Sequence, residues 1–371
     1  MSPRHLIDVR TPAERAILVG APRKGSRDAR HVHEHLDELA RLADTAGAEI
    51  AGRVVQAVEA PTAEYYIGRG KVQEVRELVA AAGASLTIFD EDLSPIQGRH
   101  LEDALGVRVM DRTELILDIF ALRARSHEAR AQVQLAQMAY LLPRLTRMWA
   151  HLSRIRGGIG LRGPGETQLE TDRRIIREKI GVLKRDLQRV TEHRARTRER
   201  TKTRGVRRVA LVGYTNAGKS SLLRALTRAE AHVEDRLFAT LDTLSRETVL
   251  DGRRVRFTDT VGFIRKLPHD LVASFRATLE EALDADVLLH VVDAAHPAWE
   301  DQARVVDSAL EDAGVHGERR MVFALNKADR LEPQDRTDRL AHAAEEGWDA
   351  LLVSAVRGEG LEELAGRLVA G

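Results

Sequence analysis

Val209-Ala210-Leu211-Val212 runs directly into Gly213-Tyr214-Thr215-Asn216-Ala217-Gly218-Lys219-Ser220-Ser221. An apolar stretch of strand length leads into a loop framed by two glycines, then a lysine and a hydroxyl. The helical run Leu222-Leu223-Arg224-Ala225-Leu226 follows. Glycine, four residues, then glycine-lysine-serine is the phosphate-binding loop pattern, here in its required context of a strand before and a helix after. Each residue type has a reason. Gly213 and Gly218 allow backbone conformations closed to other residues, so successive N–H groups turn inward around phosphate oxygens. Lys219 brings a point charge to the β- and γ-phosphates, and Ser220 offers a hydroxyl to Mg²⁺. The helix starting near Lys219 adds its positive end.

Outward from this loop, four segments narrow the ligand to a guanine nucleotide. Asp259-Thr260-Val261-Gly262 follows a strand pattern. An aspartate there holds the Mg²⁺ hydration shell, and the Gly262 N–H reaches the γ-phosphate. Asn326-Lys327-Ala328-Asp329 ends another strand. Asp329 accepts from guanine N1 and N2, two donors that adenine lacks at those positions. Asn326 supports the loop, and the Lys327 stem lies against the base. Ser354-Ala355 ends the last strand, where the Ala355 N–H meets guanine O6. Phe238-Ala239-Thr240-Leu241-Asp242 lies between the loop and Asp259. A threonine here completes the Mg²⁺ sphere only when the γ-phosphate is present, which makes a switch; Thr240 is the candidate and Thr243 its rival. Lys219, Thr240 and Gly262 are the candidate catalytic residues, and Ser220 and Thr240 the candidate metal ligands. Each tetrapeptide is weak alone; their order, each after a strand pattern, carries the reading.

The 371 residues allow two or three domains. With 43% hydrophobic and only 4% aromatic residues, the cores must be aliphatic. The sequence has no cysteine, which excludes a disulfide framework and a thiolate zinc site. No signal peptide opens the chain, and no stretch reaches the roughly 20 apolar residues of a membrane span. The expectation is a cytoplasmic monomer.

Residues 1–115 read as a small α/β domain with a mainly parallel sheet. Strands are expected at 16–19, 49–58 and 86–90, and helices at 33–46, 71–82 and 97–105. Gly68-Arg69-Gly70-Lys71 lacks the spacer and hydroxyl of a phosphate loop, and a tight turn before a helix explains it; a second nucleotide site is the rival reading. Residues 116–204 read as a long antiparallel helical hairpin. Leu135, Met138, Leu142, Leu145, Trp149 and Leu152 step by three and four, as do Ile176, Ile180, Leu183, Leu187 and Val190. Each helix would be ~40 Å long, with a kink at Pro143. The connection from Arg156 to Gly165 holds five glycines, a proline and two arginines, Arg156 and Arg162. Net charge is only +1, yet basic residues crowd the stretch 144–208. That local field suits a polyanion such as RNA; a solvated helix face is the alternative. Residues 205–371 read as a doubly wound domain.

Taken together, the motifs resemble the HflX branch of the translation-factor class of GTPases. The most specific matches are Asp111 to Phe120, Gly163 to Arg174, Phe238 to Asp242, and Thr260-Val261-Gly262-Phe263-Ile264. The resemblance implies a Ras-like GTPase domain behind a small α/β domain and a helical arm. It implies GTP hydrolysis on the large (50S) ribosomal subunit and its ribosomal RNA, at stalled or stressed ribosomes, with separation of the subunits. It also implies that the tip enters the peptidyl-transferase region. An asparagine at position 216 accompanies a bound K⁺ in related GTPases; shaping the loop is the other role open to it. Many members carry a further C-terminal domain, whereas this sequence ends at Gly371. Where many GTPases place a water-orienting glutamine, this chain has Phe263, so slow unaided hydrolysis is expected. A second reading is an RNA-binding assembly or dormancy factor that uses GTP as a conformational ligand. A third is an ATP-driven RNA remodeller using the Gly68–Lys71 turn.

Overall fold

The computed structural model describes residues 13–145, 164–200, 205–227, 237–238, 241, 244–267, 284–315 and 319–370, with side chains of the long helix from 170 to 193. The chain divides into two units at Ile119/Phe120.

In the first unit the elements are β1 (Arg15–Gly20), α1 (Arg27–Arg30), α2 (Val32–Ala46), β2 (Glu49–Val55), α3 (Arg69–Ala82), β3 (Leu86–Phe89), α4 (Pro95–Leu105), β4 (Arg108–Asp111) and the start of α5 (Arg112–Arg123). The sheet order is β2-β1-β3-β4, and all three pairings are parallel. Alternating strands and amphipathic helices dictate this, because a parallel pair needs a crossover. Leu36, Leu39, Leu42 and Ala43 form the buried stripe of α2. Ser94 and Gln97 close a capping box on α4, with Pro95 in its first turn.

Two expectations about this unit can be placed. Gly68 sits at the N-terminal end of α3, and Lys71 Nζ donates to Glu74 Oε2 at 2.6 Å. The segment Asp111-Arg112-Thr113 is a buried polar lock. Arg112 is fully buried and pairs with Asp90 at 2.7 Å and with Glu38. Asp111 accepts from the amides of Leu93 and Glu114, and Thr113 Oγ1 donates to Asp92 at 2.6 Å. A buried guanidinium is tolerated because carboxylates and hydrogen bonds surround it.

The second unit begins within α5 and continues with α6 (His127–Leu141), a 3₁₀ turn at Leu142–Arg144 and the 37-residue α7 (Pro164–Arg200). At 1.5 Å per residue α7 is about 55 Å long and α6 about 22 Å. The steps of three and four on α7 hold: Ile176, Ile180, Leu183, Leu187 and Val190 are all half-buried. On α6 the most buried positions are instead Ala129, Gln132, Val133 and Ala136, with Leu135 and Met138 only half-buried. Small side chains make a closely packed face that a count of leucines overlooks. Pro143 does not bend a continuing helix; it lies in the 3₁₀ turn where α6 stops, as its missing N–H requires. Trp149, Leu152, Arg156 and Arg162 lie outside the described residues.

The rest of the unit is a six-stranded sheet, ordered β10-β9-β8-β5-β7-β6. Its strands are β5 (Val206–Gly213), β6 (Leu244–Leu250), β7 (Arg253–Asp259), β8 (Val287–Asp293), β9 (Arg320–Asn326) and β10 (Ala350–Leu352). Only the β6–β7 pair is antiparallel. The helices are α8 (Lys219–Thr227), α9 (Trp299–Asp312), α10 (Pro333–Glu345) and α11 (Leu361–Val369). One aliphatic cluster, including Val209, Leu211, Leu222, Leu223, Phe257, Leu289, Val291, Leu364 and Leu368, fills one part of the core. A smaller cluster is aromatic: Trp348 stacks on Phe323 at 4.3 Å, and Trp299 stands perpendicular to Trp348 at 6.0 Å. β5 is central, with β7 on one side and β8 on the other, so the chain winds away from it in both directions. The crevice beyond the carboxyl end of such a strand is where open α/β sheets bind ligands.

Candidate nucleotide site

β5 delivers its last residue, Gly213, into that crevice. Two glycines then shape the loop. Gly213 (φ +152°) has no room for a Cβ beside the Val291 carbonyl, and Gly218 (φ +94°) none beside the Asn326 amide. Asn216 between them also adopts a left-handed conformation, φ +62°, which asparagine tolerates better than most residues. Lys219 opens α8, and its Nζ donates to the Gly213 and Tyr214 carbonyls at 3.1 and 3.0 Å. The ammonium thus spans the loop. Burial pushes its pKa down to about 8, and the Asp259 carboxylate offsets part of that fall.

Asp259 ends β7, fully buried, and accepts from Ser220 Oγ at 2.7 Å. A hydroxyl suited to ligate Mg²⁺ and a carboxylate suited to hold that ion's bound water therefore meet at the start of α8. Thr260 faces away: its hydroxyl donates to the Leu211 carbonyl at 2.7 Å. Gly262 lies against the loop, since a Cβ there would stand 2.8 Å from Thr215 Cα and 3.1 Å from Lys219 Nζ.

The base-side residues form one network. Asn326 Nδ2 donates to the Ala217 carbonyl at 2.9 Å, and Asn326 Oδ1 accepts from the Ala355 amide at 3.1 Å. This buried side chain therefore ties the phosphate loop to the loop after β10. Lys327, with φ +64°, donates to the Asn216 carbonyl at 2.9 Å and to Asp293 at 2.7 Å. Ala328 is buried behind it. Asp329 Oδ1 accepts from Ser354 Oγ at 2.6 Å, and that bond holds its carboxyl below the usual aspartate range. The carboxylate is therefore ionised wherever the protein is folded at ordinary pH. The Ala355 amide, expected at guanine O6, is engaged here by Asn326.

The structure thus brings together Gly213 to Ser221, Asp259 to Gly262, Asn326 to Asp329 and Ser354-Ala355. Phe238 joins this set, its amide donating to Thr215 Oγ1 at 3.0 Å, and Leu241 is buried, while Ala239, Thr240, Asp242 and Thr243 lie outside the described residues. One residue, Asp293, and the separate bonds of two loop hydroxyls lie outside the sequence reading. Asp293 fixes Lys327, and its only local signal is that it ends β8. The hydroxyls of Tyr214 and Thr215 bind other segments, and nothing local announces that.

Lys219 gives a pH dependence. In the free protein it loses its proton from about pH 8 upward, whereas phosphate stabilises the ammonium. Nucleotide affinity should be flat below that pH and fall above it, by about fourfold between pH 7 and pH 8.5. Titration calorimetry with GDP at several pH values checks this. The same shift acts on stability. The folded pKa lies below the ordinary 10.5, so the unfolded chain holds this proton more tightly. Lys219 alone therefore makes stability rise with pH between those two values.

A glycine-framed loop, a buried lysine, a Ser–Asp pair and an Asn-Lys-Ala-Asp loop at the carboxyl ends of one sheet define a P-loop GTPase. Comparisons with known proteins agree. Residues 33–121 match the family described as "GTP-binding GTPase N-terminal", residues 123–201 "GTP-binding GTPase Middle Region", and residues 208–327 "50S ribosome-binding GTPase". GTPase HflX of Caldanaerobacter subterraneus subsp. tengcongensis is 51% identical over 320 residues, 86% of this chain and 73% of that protein. GTPase HflX of Escherichia coli is 47% identical over 332 residues, 89% and 77% of the two chains. The chain belongs to the HflX family of GTPases, enzymes that bind and hydrolyse GTP. A crystal structure of SsGBP in complex with GDP shares the fold, with a TM-score of 0.54 at 24% identity, covering 96% of this chain and 97% of that one.

Proposed function

We propose that this protein is a cytoplasmic, ribosome-associated GTP hydrolase that binds the large ribosomal subunit and separates the subunits of stalled or stressed ribosomes. The observation that carries this reading is the match of residues 208–327 to a ribosome-binding GTPase family, on a chain whose base loop and phosphate loop are joined through Asn326. GTP is recognised by Asp329, with Asn326 and Lys327 holding the loop, and Ala355 serves O6 once its amide turns from Asn326. Lys219 and the loop amides hold the phosphates. Ser220 ligates Mg²⁺ and Asp259 holds its hydration shell, with Thr240 as the ligand added by the GTP state, and Gly262 serves the γ-phosphate. Asn216 either shapes the loop or accompanies K⁺; activity in K⁺ against Na⁺ separates these.

Among the described residues no helix is long and apolar enough to cross a membrane. Residues 1–115, 116–204 and 205–371 are taken as N-terminal domain, helical arm and GTPase domain, acting as a monomer. Arg156 and Arg162, in the connection between the two arm helices, contact ribosomal RNA. Phe263 is buried and brings no polar group to the attacking water, so unaided hydrolysis is slow and the ribosome accelerates it. The same residue favours a second reading, a dormancy or assembly factor with little turnover.

Co-sedimentation with ribosomal subunits in GTP, GDP and a non-hydrolysable analogue, with turnover measured alongside, tests both. GTP-dependent binding to the large subunit with accelerated hydrolysis is expected. Binding without acceleration selects the second reading, and no binding in any nucleotide rejects both. Replacing Arg156 and Arg162 by alanine should leave GDP affinity intact and lower subunit separation about tenfold or more, since each charged contact to RNA contributes about 1 kcal/mol. Wild-type separation by that double variant would make the connection a passive linker.

A further inference from the structure

Two side chains of the phosphate loop bond backbone amides of segments outside it. Tyr214 Oη accepts from the Arg265 amide at 3.0 Å, and Thr215 Oγ1 accepts from the Phe238 amide at 3.0 Å. Arg265 lies three residues beyond Gly262, in the second switch segment; Phe238 opens the first. Both acceptor side chains are buried, Tyr214 at 4% exposed and Thr215 at 6%, and the Thr215–Phe238 bond is out of water while the Tyr214–Arg265 bond is half-buried. We propose that the hydroxyls of Tyr214 and Thr215 are positioning groups for GTP hydrolysis, each fastening one switch segment to the phosphate loop.

The backbone around them supports this role. The Thr215 amide donates to the Phe263 carbonyl at 2.7 Å, and the Phe263 amide to the Gly213 carbonyl at 3.1 Å. These make a parallel bridge between Tyr214 and Phe263. The regular β5–β7 pairing ends at Leu211 opposite Asp259. Between these two points β5 has two residues, Val212 and Gly213, while the partner has three, Thr260, Val261 and Gly262. The extra residue is a bulge. It brings the Gly262 backbone against Thr215 and Lys219. Past the bridge the segment turns away from the sheet, and the Tyr214 hydroxyl is what meets its next amide but one, at Arg265.

On the other side, Phe238 is held in a left-handed conformation, φ +54°, which a bulky residue adopts only when its surroundings enforce it. Thr215 supplies the bond to its amide. Its ring meets the Phe120 ring edge-on, with centroids 4.6 Å apart and planes at 77°. A single dipeptide thus sits between the two segments and fixes a point on each.

The consequence for chemistry follows from Phe263. That residue brings no polar side chain to the water, so the placement of the switch backbone matters the more for how often the productive arrangement occurs. Binding of the diphosphate rests instead on the loop amides, Lys219 and the base loop, none of which uses these two hydroxyls. Loosening the switches should therefore lower turnover without lowering GDP affinity.

The test uses the full chain with Tyr214→Phe, Thr215→Val and Thr215→Ser. A lost neutral hydrogen bond predicts a fall in kcat of about fivefold for each of the first two variants. Their combination should lower kcat further than either alone, with a departure from the simple product that measures the coupling of these adjacent residues. KM for GTP and GDP affinity should stay near the parent values, thermal stability should fall only by the small amount that one lost buried bond causes, and Thr215→Ser, which keeps the hydroxyl, should restore kcat. Unchanged kcat in Tyr214→Phe and Thr215→Val overturns the proposal. So does a parallel loss of kcat, GDP affinity and stability, which marks a structural role. The readout stands on GTP hydrolysis by the protein alone and needs no ribosome.

Discussion

Asp329→Asn is expected to lose GTP and GDP and to gain xanthosine nucleotides. The carboxylate is oriented by Ser354, whose hydroxyl both donates to Asp329 and accepts from the Arg357 amide at 3.1 Å. That orientation presents an ionised acceptor to the two donors of guanine. Asparagine offers one acceptor and, in place of the other, an NH₂ that opposes a guanine donor. Two charge-assisted bonds at about 1.5–3 kcal/mol each predict a loss of about 10²- to 10⁴-fold in affinity. Xanthine carries a carbonyl where guanine carries its amino group, so the same NH₂ finds an acceptor. Competition between GDP and XDP for the variant decides the matter; a variant that binds both as the parent does would show that the base lies elsewhere.

Gly218→Ala is expected to weaken nucleotide binding by about 100-fold while leaving the N-terminal sheet folded. An L-residue at φ +94° costs about 1–2 kcal/mol in strain. The added methyl also takes the place of the Asn326 amide, which must leave the Ala217 carbonyl. A buried group left unpaired costs about 1–3 kcal/mol more. The phosphate loop and the base loop lose their shared anchor in one step. Calorimetry with GDP measures the loss, and circular dichroism shows that secondary structure persists. Parent-like affinity would mean that the loop can re-form around the methyl, and that Asn326 is not its support.

Much of each sheet is legible, because buried parallel strands read as short aliphatic runs: Ala16 to Val19 and Val209 to Val212. β4 is not, since Arg108–Asp111 offers only Val109 and Met110 as apolar residues and forms a strand by pairing with β3. The nucleotide motifs were legible for a different reason. Phosphate, Mg²⁺ and guanine each demand a residue type at a fixed distance from a strand end, so local sequence carries the chemistry. Bonds between those motifs are long-range and leave no local mark. Asn326 reaching Ala217, Asp293 holding Lys327, and Tyr214 reaching Arg265 are visible only once the sheet brings the loops together. The face of α6 was misjudged because leucine was weighted over alanine, while Ala129 and Ala136 are more buried than Leu135.

The aromatic cluster of Trp299, Phe323 and Trp348 has a spectroscopic consequence. The sequence holds three tryptophans, two of them in this cluster, and residues 1–119 contain none. In a Trp149→Phe background, emission from Trp299 and Trp348 therefore reports the docking of α9 and of the segment after α10 on β9, and a red shift on denaturation follows that event. Far-UV circular dichroism instead sums the helices of both units. If the two curves coincide in urea, the units unfold as one cooperative body; if emission lags or leads, they melt separately and a single unfolding free energy does not describe the chain. The sequence also lacks cysteine, so one engineered thiol on the N-terminal sheet, carrying a dye, would follow that sheet by a separate signal.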